Sequence, residues 1–385
     1  MSIRQPLIWA TLLYITGILL GSFLSSSLFI YALSASAAFL LTGTLLWKKT
    51  HITNALLFAF WITLGMARIG MEKEMTSENH YYKVVCQKAQ QQQEAMRERM
   101  HNAGLEDKAL SLSSALLLGQ KSGLDKETRR KYAQVGASHL LALSGMHLGI
   151  IYGILYLLFV RRIRYSEWKW FWLPPILLII WGYAFIAGMP ISLVRACIMF
   201  SLTTIATLAQ SDTPPLHILA LSALAILLFS PSALFGISFQ LSFLAVLFII
   251  ILYLPLKRIV NPQNVIVNML MLSVVAQLGT APLSIYYFHT LPLLGAIVSV
   301  ILIPLTTIII YIGLIVLLIP IGCFTWLLSM AISLQEWIVE TATHIPYSII
   351  TNLYPTWWQV TLAYMLLLCI IARSHIRWSE EDFNQ

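Results

Sequence analysis

Stretches of roughly 20 mostly apolar residues recur along nearly the whole chain, and a helix of that length crosses the hydrocarbon core of a bilayer. They fall at about 7–24, 28–47, 52–71, 138–160, 172–188, 190–209, 216–230, 235–254, 265–288, 292–319, 323–345 and 357–372. Backbone groups inside lipid find no water, so a spanning segment must bond to itself, as a helix does. The predicted fold is therefore all-α: a polytopic integral membrane helical bundle with about 12 transmembrane or membrane-embedded helices. The run at 216–230 is short for a full span, and Pro304 is expected to kink the long run at 292–319. Hydrophobic residues make up 58% of the chain and charged residues only 10%, against roughly a quarter charged in soluble domains. That balance excludes a soluble enzyme, a disordered chain and a disulfide-rich secreted domain. Cys197, Cys323 and Cys369 lie in apolar runs and only Cys86 in a polar one, so no disulfide framework is expected.

Lysine and arginine set the orientation. With the N-terminus in the cytoplasm, the cytoplasmic segments hold Arg4, Lys48, Lys49, Arg161, Arg162, Arg164, Lys169, Lys257, Arg258, Arg373 and Arg377, while the short outer loops hold neither lysine nor arginine. An even number of spans returns the C-terminus to the same side. The expected location is a bacterial inner (plasma) membrane, multi-pass, with both termini cytoplasmic. The polar segment 72–137 then falls outside despite its cations, because long segments cross largely regardless of charge and its acids balance it. Trp168, Trp170, Trp357 and Trp358 lie near predicted interfaces. The first run lacks a small-residue cleavage site and a second span follows at once, so no cleaved signal peptide is expected.

Three segments are expected. Residues 1–71 form a three-span block in which Gly17 and Gly21 mark close helix packing. Residues 72–137 form an extracytoplasmic amphipathic connector, with Gln87–Gln93 followed by Met96, Met100 and Leu105 among charges. It either lies on the membrane surface or frames the entrance of a path. Residues 138–385 form a bundle of about nine spans without the repeat of an inverted-repeat transporter.

The densest polar chemistry is Ala137–Gly149, which opens an apolar run with Ser138, His139, Ser144 and His147. Read as helix, it sets Gly145, Gly149 and Gly153 in one packing stripe and places Ser144 one turn from His147. His139 and His147 then share a face. Either this is a tightly packed helix with satisfied polar groups, or Ser144 and His147 form a catalytic pair, though a nucleophile site would carry Gly where Ala142 stands. The second constellation is Gly188–Arg195. Gly188 and Pro190 break one helix and start another, so free N–H groups and a positive dipole end lie near Ser192 and Arg195. A charge within a span costs about 2.5–3.5 kcal/mol and is by default functional; a helix start with an arginine suits phosphate or carboxylate. Snorkelling of Arg195 to the outer interface is the plain alternative. Ser238, Gln240 and Ser242, and Gln277 ahead of a break at Gly279–Pro282, either bond between helices or add to a polar interior. Glu336 and Glu340 mark an ion site or a wet, interface-lying helix. Gly119-Gln120-Lys121-Ser122 only mimics the tail of a phosphate-binding loop. No enzyme activity, metal or cofactor is expected.

Ala115–Gly119 and Gly136-Ala137-Ser138-His139-Leu140-Leu141-Ala142-Leu143-Ser144-Gly145-Met146-His147 resemble the hallmark of the ComEC-type competence family of inner-membrane DNA-uptake channels. Ser192–Met199, Gly236–Phe243, Gln277 with Pro282, and Ile303-Pro304-Leu305 are similar to its further segments. The likeness covers about 105–320 well. Family members usually add an OB-like domain after the first spans and a C-terminal metallo-β-lactamase-like domain, and 72–104 is too short for the former while the latter is not expected after Arg373. The resemblance implies a channel bundle over 138–385 that passes single-stranded DNA into the cytoplasm during natural competence, the establishment of competence for transformation. Its path residues would be Arg195, His139, Ser144, His147, Ser192, Gln240 and Gln277. The implied partners are single-stranded DNA, the lipid bilayer, a DNA-delivery receptor outside, an ATP-driven motor inside and a separate nuclease. A small-solute or lipid transporter reusing the same core, and an intramembrane Ser/His hydrolase, stand as alternatives.

Overall fold

The computed structural model describes residues 6–24, 28–45, 50–74, 80–105, 107–120, 123–253, 256–257, 260, 263–345 and 348–381. Its helices are α1 (Pro6–Phe23), α2 (Phe29–Leu45), α3 (Thr50–Glu74), α4 (His80–Asn102), α5 (Asp107–Leu118), α6 (Lys126–Gln134), α7 (Gly145–Leu155), α8 (Leu173–Ile186), α9 (Ile191–Leu208), α10 (Pro215–Phe229), α11 (Ile237–Phe248), α12 (Val265–Phe288), α13 (Gly295–Leu318), α14 (Gly322–Thr343) and α15 (Trp357–Glu381). A π-turn carries α7 on to Ile163. Among the described residues the strands are the two-residue β1 (Leu291–Pro292) and β2 (Ile349–Ile350), antiparallel with Leu291 opposite Ile350. Among the described residues eight helical segments are long and apolar enough to cross a membrane: 6–23, 52–73, 145–163, 169–186, 191–208, 265–288, 295–318 and 322–343. The other four expected runs are shorter apolar helices, at 30–43, 215–229, 237–253 and 357–371. The chain is an all-α, polytopic membrane protein.

Packing gathers the chain into two units that interleave along the sequence. The first takes 1–85, 159–173 and 198–243, the second 86–158, 174–197 and 244–385. This grouping differs from the consecutive blocks 1–71, 72–137 and 138–385.

In the first unit α1 and α3 touch backbone to backbone. A Cβ on Gly17 would strike the Ile62 carbonyl, and one on Gly65 would strike the Tyr14 carbonyl; small residues permit that approach in lipid. Tyr14 and Ile18 are fully buried with Ile69, Leu227 and Phe239, and the Tyr14 hydroxyl donates to Leu227 O at 3.2 Å. The far end of α3 holds other helix ends. Arg68 donates to Leu228 O (2.9 Å) and Phe229 O (3.1 Å) where α10 stops. Lys73 Nζ donates to Ser22 O (2.8 Å) near the end of α1. The Glu72 carboxylate accepts from Ser230 Oγ (3.2 Å), Ser232 N–H (2.8 Å) and Ser232 Oγ (2.8 Å), at the start of the short 3-10 turn Pro231–Phe235. Cations at carbonyl ends and a carboxylate at an amide end are the placements the helix dipole favours. The C-terminal ends of α1, α3 and α10 therefore meet, as alternating spans require.

In the second unit α4 has a mixed face, with Ala89 and Met100 buried among exposed glutamines and charges. The connector is more than a surface helix, however. Leu112 to Leu118 of α5 are buried without a gap, packed against α13 and α14. An apolar run of 12 residues is too short to span and reads as a core helix. Asp125 caps α6 by accepting from Thr128 N–H at 3.1 Å. That bond holds the Asp125 carboxyl below its ordinary range, so the cap is intact above that range and is lost as pH falls through the folded value. Tyr132, 1% exposed, accepts from Gln335 Nε2 at 3.1 Å, and Lys131 bridges Glu127 (3.0 Å) and Glu340 (3.1 Å). Glu340 is thus paired at an exposed helix end, which fits the wet-helix alternative.

The break expected at Gly279–Pro282 is absent: α12 runs through Pro282 to Phe288. Thr280 Oγ1 bonds back to Ala276 O (3.0 Å) and the Tyr364 hydroxyl donates to Gly279 O (3.1 Å), so side chains serve the disturbed turn as they do in other membrane helices. Helix α13 likewise continues past Pro304 to Leu318. The three-way acceptor at Glu72 yields a stability test. Glu72→Ala should lower stability by about 1–2 kcal/mol, read as a lower melting temperature in detergent with Glu72→Gln intermediate. An unchanged melting temperature would mean that water replaces the carboxylate at no cost.

Candidate functional site

Helix α5 ends inside the second unit, and four carbonyls there require donors. Gly119, at φ +76°, turns the chain in the left-handed region that glycine enters freely. Its N–H reaches Ala115 O (3.1 Å), and Gln120 N–H reaches Ser114 O (3.2 Å). Two further carbonyls are served from other helices: the Tyr183 hydroxyl of α8 donates to Leu117 O (3.1 Å), and Gln93 Nε2 of α4 donates to Leu118 O. Gln93 also reaches Ala187 O at 3.4 Å.

Residues 136–144 pass over this end. A Cβ on Gly119 would sit 2.7 Å from Leu143 Cδ1. Gly136, also at positive φ, passes so close to α13 that a Cβ would lie 2.8 Å from Gly295 Cα and from Pro292 Cβ. Ala137, Leu140, Leu141 and Leu143 are buried, while Ser138 and His139 are exposed and His139 Nδ1 lies 3.1 Å from Gly136 O. The helix expected from residue 138 begins instead at Gly145, and His139 shares no helix face with His147. The cause is Ser144. Extended at φ −127°, ψ 173°, it accepts from Met146 N–H at 3.3 Å, while its own N–H donates to His147 Nδ1 at 3.4 Å. This is a reciprocal capping box with histidine in the usual place of Glu or Gln.

Ser144 Oγ lies 3.3 Å from His147 Nδ1, within reach for a nucleophile and base. But Nδ1 already accepts the Ser144 N–H, and His147 Nε2 is buried with no hydrogen-bond partner among the described residues. No third group among them orients the ring as a triad requires. Gly145 makes ordinary contact with Ala196 (3.5 Å from a Cβ), and Gly153 faces open space within 4 Å. Gly149 is half-buried. The tightest approaches near this segment are at Gly136 and at Gly313, against Leu117.

Between α8 and α9, Gly188 (φ +82°) and Met189 (φ +52°) reverse the chain. Met189 carries a side-chain penalty in that region. Helix α9 starts after Pro190, and Ser192 Oγ donates to Leu143 O at 2.5 Å. One turn on, Arg195 is only 3% exposed, so it is no interface-snorkelling side chain. Two helix N-termini, each worth about half a positive charge, thus meet the same non-helical segment, and Arg195 lies one turn into the second of those helices. Gln277 Nε2 donates to Pro292 O at 2.8 Å, on the strand that supports Gly136. Gln240 belongs to the first unit, where its amide donates to Leu234 O (3.0 Å). Among the described residues no three His, Cys, Asp or Glu side chains converge on a metal-sized point.

The sequence model of a family described as "Competence protein" matches residues 116–377. The chain belongs to the competence protein family. The matched region opens at the buried end of α5 and takes in the whole break. A ComE operon protein 3 from Bacillus subtilis (strain 168) is 29% identical over 210 residues, covering 54% of this chain and 26% of that protein. A protein of Aquifex aeolicus (strain VF5) named "Uncharacterized protein" is 30% identical over 184 residues, 48% of this chain and 42% of its own length. The chain spans less than half the length of either relative. No solved structure matches it. In this competence protein the residues with no motif to announce them are Gln93, inside a glutamine run, and Tyr183, inside an apolar run.

The capping role of Ser144 has a clear test. Ser144→Ala should cost about 1 kcal/mol, and Ser144→Asn, a comparable cap, should restore most of it, measured by thermal unfolding in detergent. Equal losses in both variants would remove the capping role.

Proposed function

We propose that this membrane protein conducts single-stranded DNA across a bacterial inner membrane during competence, with both termini in the cytoplasm and 72–137 outside. The observation that carries this reading is the meeting of the α7 and α9 N-termini on the non-helical segment 136–144, with buried Arg195 one turn into α9. Irregular backbone at membrane depth is tolerated where protein buries it or it lines a cavity, and helix N-termini there attract anions. A phosphodiester passing Arg195 gains a charge-assisted hydrogen bond. One strong cation rather than a row favours transit over trapping, since each neutralised phosphate adds to affinity. In this account exposed His139, Ser144, His147, Ser192 and Gln277 shape the same path. The meeting of the C-terminal ends of α1, α3 and α10 inside the first unit supports the alternation of spans that this topology requires, and the basic loops set its direction.

Movement requires partners: a receptor delivering DNA outside and an ATP-driven motor inside, with a separate nuclease for the strand left behind. Ser144 and His147 take no catalytic part, and a serine-reactive probe should leave Ser144 unlabelled. Broken helices with converging N-termini also suit a small-anion transporter, which would show saturable solute flux and no dependence on DNA. The deciding experiment is DNA uptake in a deletion strain carrying Arg195 variants. Arg195→Lys should keep near-normal abundance but lower uptake, because lysine lacks the planar bidentate fork, and Arg195→Ala should lower it further. Parental uptake in both variants would overturn the anion-path assignment.

A further inference from the structure

Between the apolar segments 145–163 and 169–186 lie only residues 164–168. A turn that short stays at the depth of the lipid headgroups. It is folded on itself: Ser166 N–H donates to Ile163 O (2.8 Å), Trp168 N–H to Ser166 Oγ (3.2 Å) and Phe171 N–H to Trp168 O (3.0 Å). From the loop that follows α9, Gln210 Nε2 donates to Arg164 O at 2.9 Å. Gln210 sits at φ +54°, a region with a side-chain penalty, so its surroundings hold it there. Tyr165, Trp168, Trp170, Phe171 and Trp172 are all exposed, and rings with a polar edge settle at the headgroup level. Four cations, Arg161, Arg162, Arg164 and Lys169, stand beside the single acid Glu167. Arg161 and Arg162 suit the carbonyl end of the helix they close. Arg164 needs a further reason. Its guanidinium lies 4.4 Å from the Tyr165 ring centroid and bonds the Tyr165 hydroxyl. Its Nε is buried with no hydrogen-bond partner among the described residues, and a charged donor left unmet in this way is costly.

We propose that the turn 161–172 seats the headgroup phosphate of an anionic phospholipid, with Arg164 as its principal contact. At this depth the abundant anion is the lipid phosphate, and basic pockets at span ends bind such headgroups. A phosphodiester oxygen answers the unmet Nε–H, and the planar fork suits it. A single strand of DNA carries the same phosphate and also stacks on aromatic rings. Phe171 and Trp172, however, belong to the apolar segment 169–186 itself, where acyl chains rather than bases meet them. The assignment requires the membrane fold alone and is independent of DNA conduction.

The test is thermal melting of the full chain in uncharged detergent, titrated with phosphatidylglycerol as probe. Phosphatidylcholine, inorganic phosphate and oligo-dT form separate arms. Phosphatidylglycerol should raise the melting temperature of the parent by at least about 3 °C at saturation, because a ligand bound only to the folded state stabilises it. Each of the other three should give less than half of that rise. Arg164→Lys keeps the charge that orients the loop but lacks the Nε–H and the fork, so it should lose most of the phosphatidylglycerol shift. Arg162→Lys, at an exposed position, should retain most of it. An equal rise with phosphatidylcholine or inorganic phosphate would overturn the anionic-lipid seat. An undiminished shift in Arg164→Lys would overturn Arg164 as its contact. A shift given by oligo-dT alone, and lost in Arg164→Lys, would overturn it in favour of a nucleic-acid surface.

Discussion

The carbonyls at the buried end of α5 cannot be left without donors, and much of the second unit is arranged around supplying them. In a lipid-facing interior each unsatisfied group costs several kcal/mol. Two donors come from the chain's own turn through Gly119, one from Tyr183 on α8 and one from Gln93 on α4. That arrangement ties the connector into the unit and fixes the end of α8. It also makes room for the 136–144 segment, whose Leu143 sits against Gly119 and whose carbonyl accepts Ser192. The start of α9, and with it Arg195, follows from those bonds.

The same set of bonds sorts charge. The negative ends of α5 and α8 are met by Gln93 and Tyr183, while the positive ends of α7, capped by Ser144, and of α9 face one non-helical segment, with Arg195 one turn into α9. An anion is the species that such a field favours. In the first unit the logic is reversed in purpose: Arg68, Glu72 and Lys73 neutralise helix ends, and there the result is cohesion.

The apolar runs were legible because bilayer thickness dictates their length, and each of the twelve contains a helix. Gly17 was legible as a close-approach residue for the same reason. The start of α7 was not, because an apolar run does not reveal that Ser144 prefers an extended cap with His147 reaching back. Nor was the continuity of α12 through Pro282, which depends on Tyr364 arriving from α15. Gln93 was hidden because its role is set by where α5 and α8 end, which composition cannot show. Arg195 and Ser192 stood out in sequence as a charge and hydroxyl at a helix start, and the structure places both at the break. Gln240 shared the chemistry but lies in the first unit, bonded close to its own turn.

The central claim is that single-stranded DNA passes the break around 136–144. A photocrosslinking amino acid placed at exposed His139, compared with one at exposed Met330 on α14, tests it in cells taking up labelled DNA. Crosslinks to the incoming strand at position 139 and none at 330 are the predicted result. Uptake that proceeds with no crosslink at 139, or with equal crosslinking at both, would contradict the account.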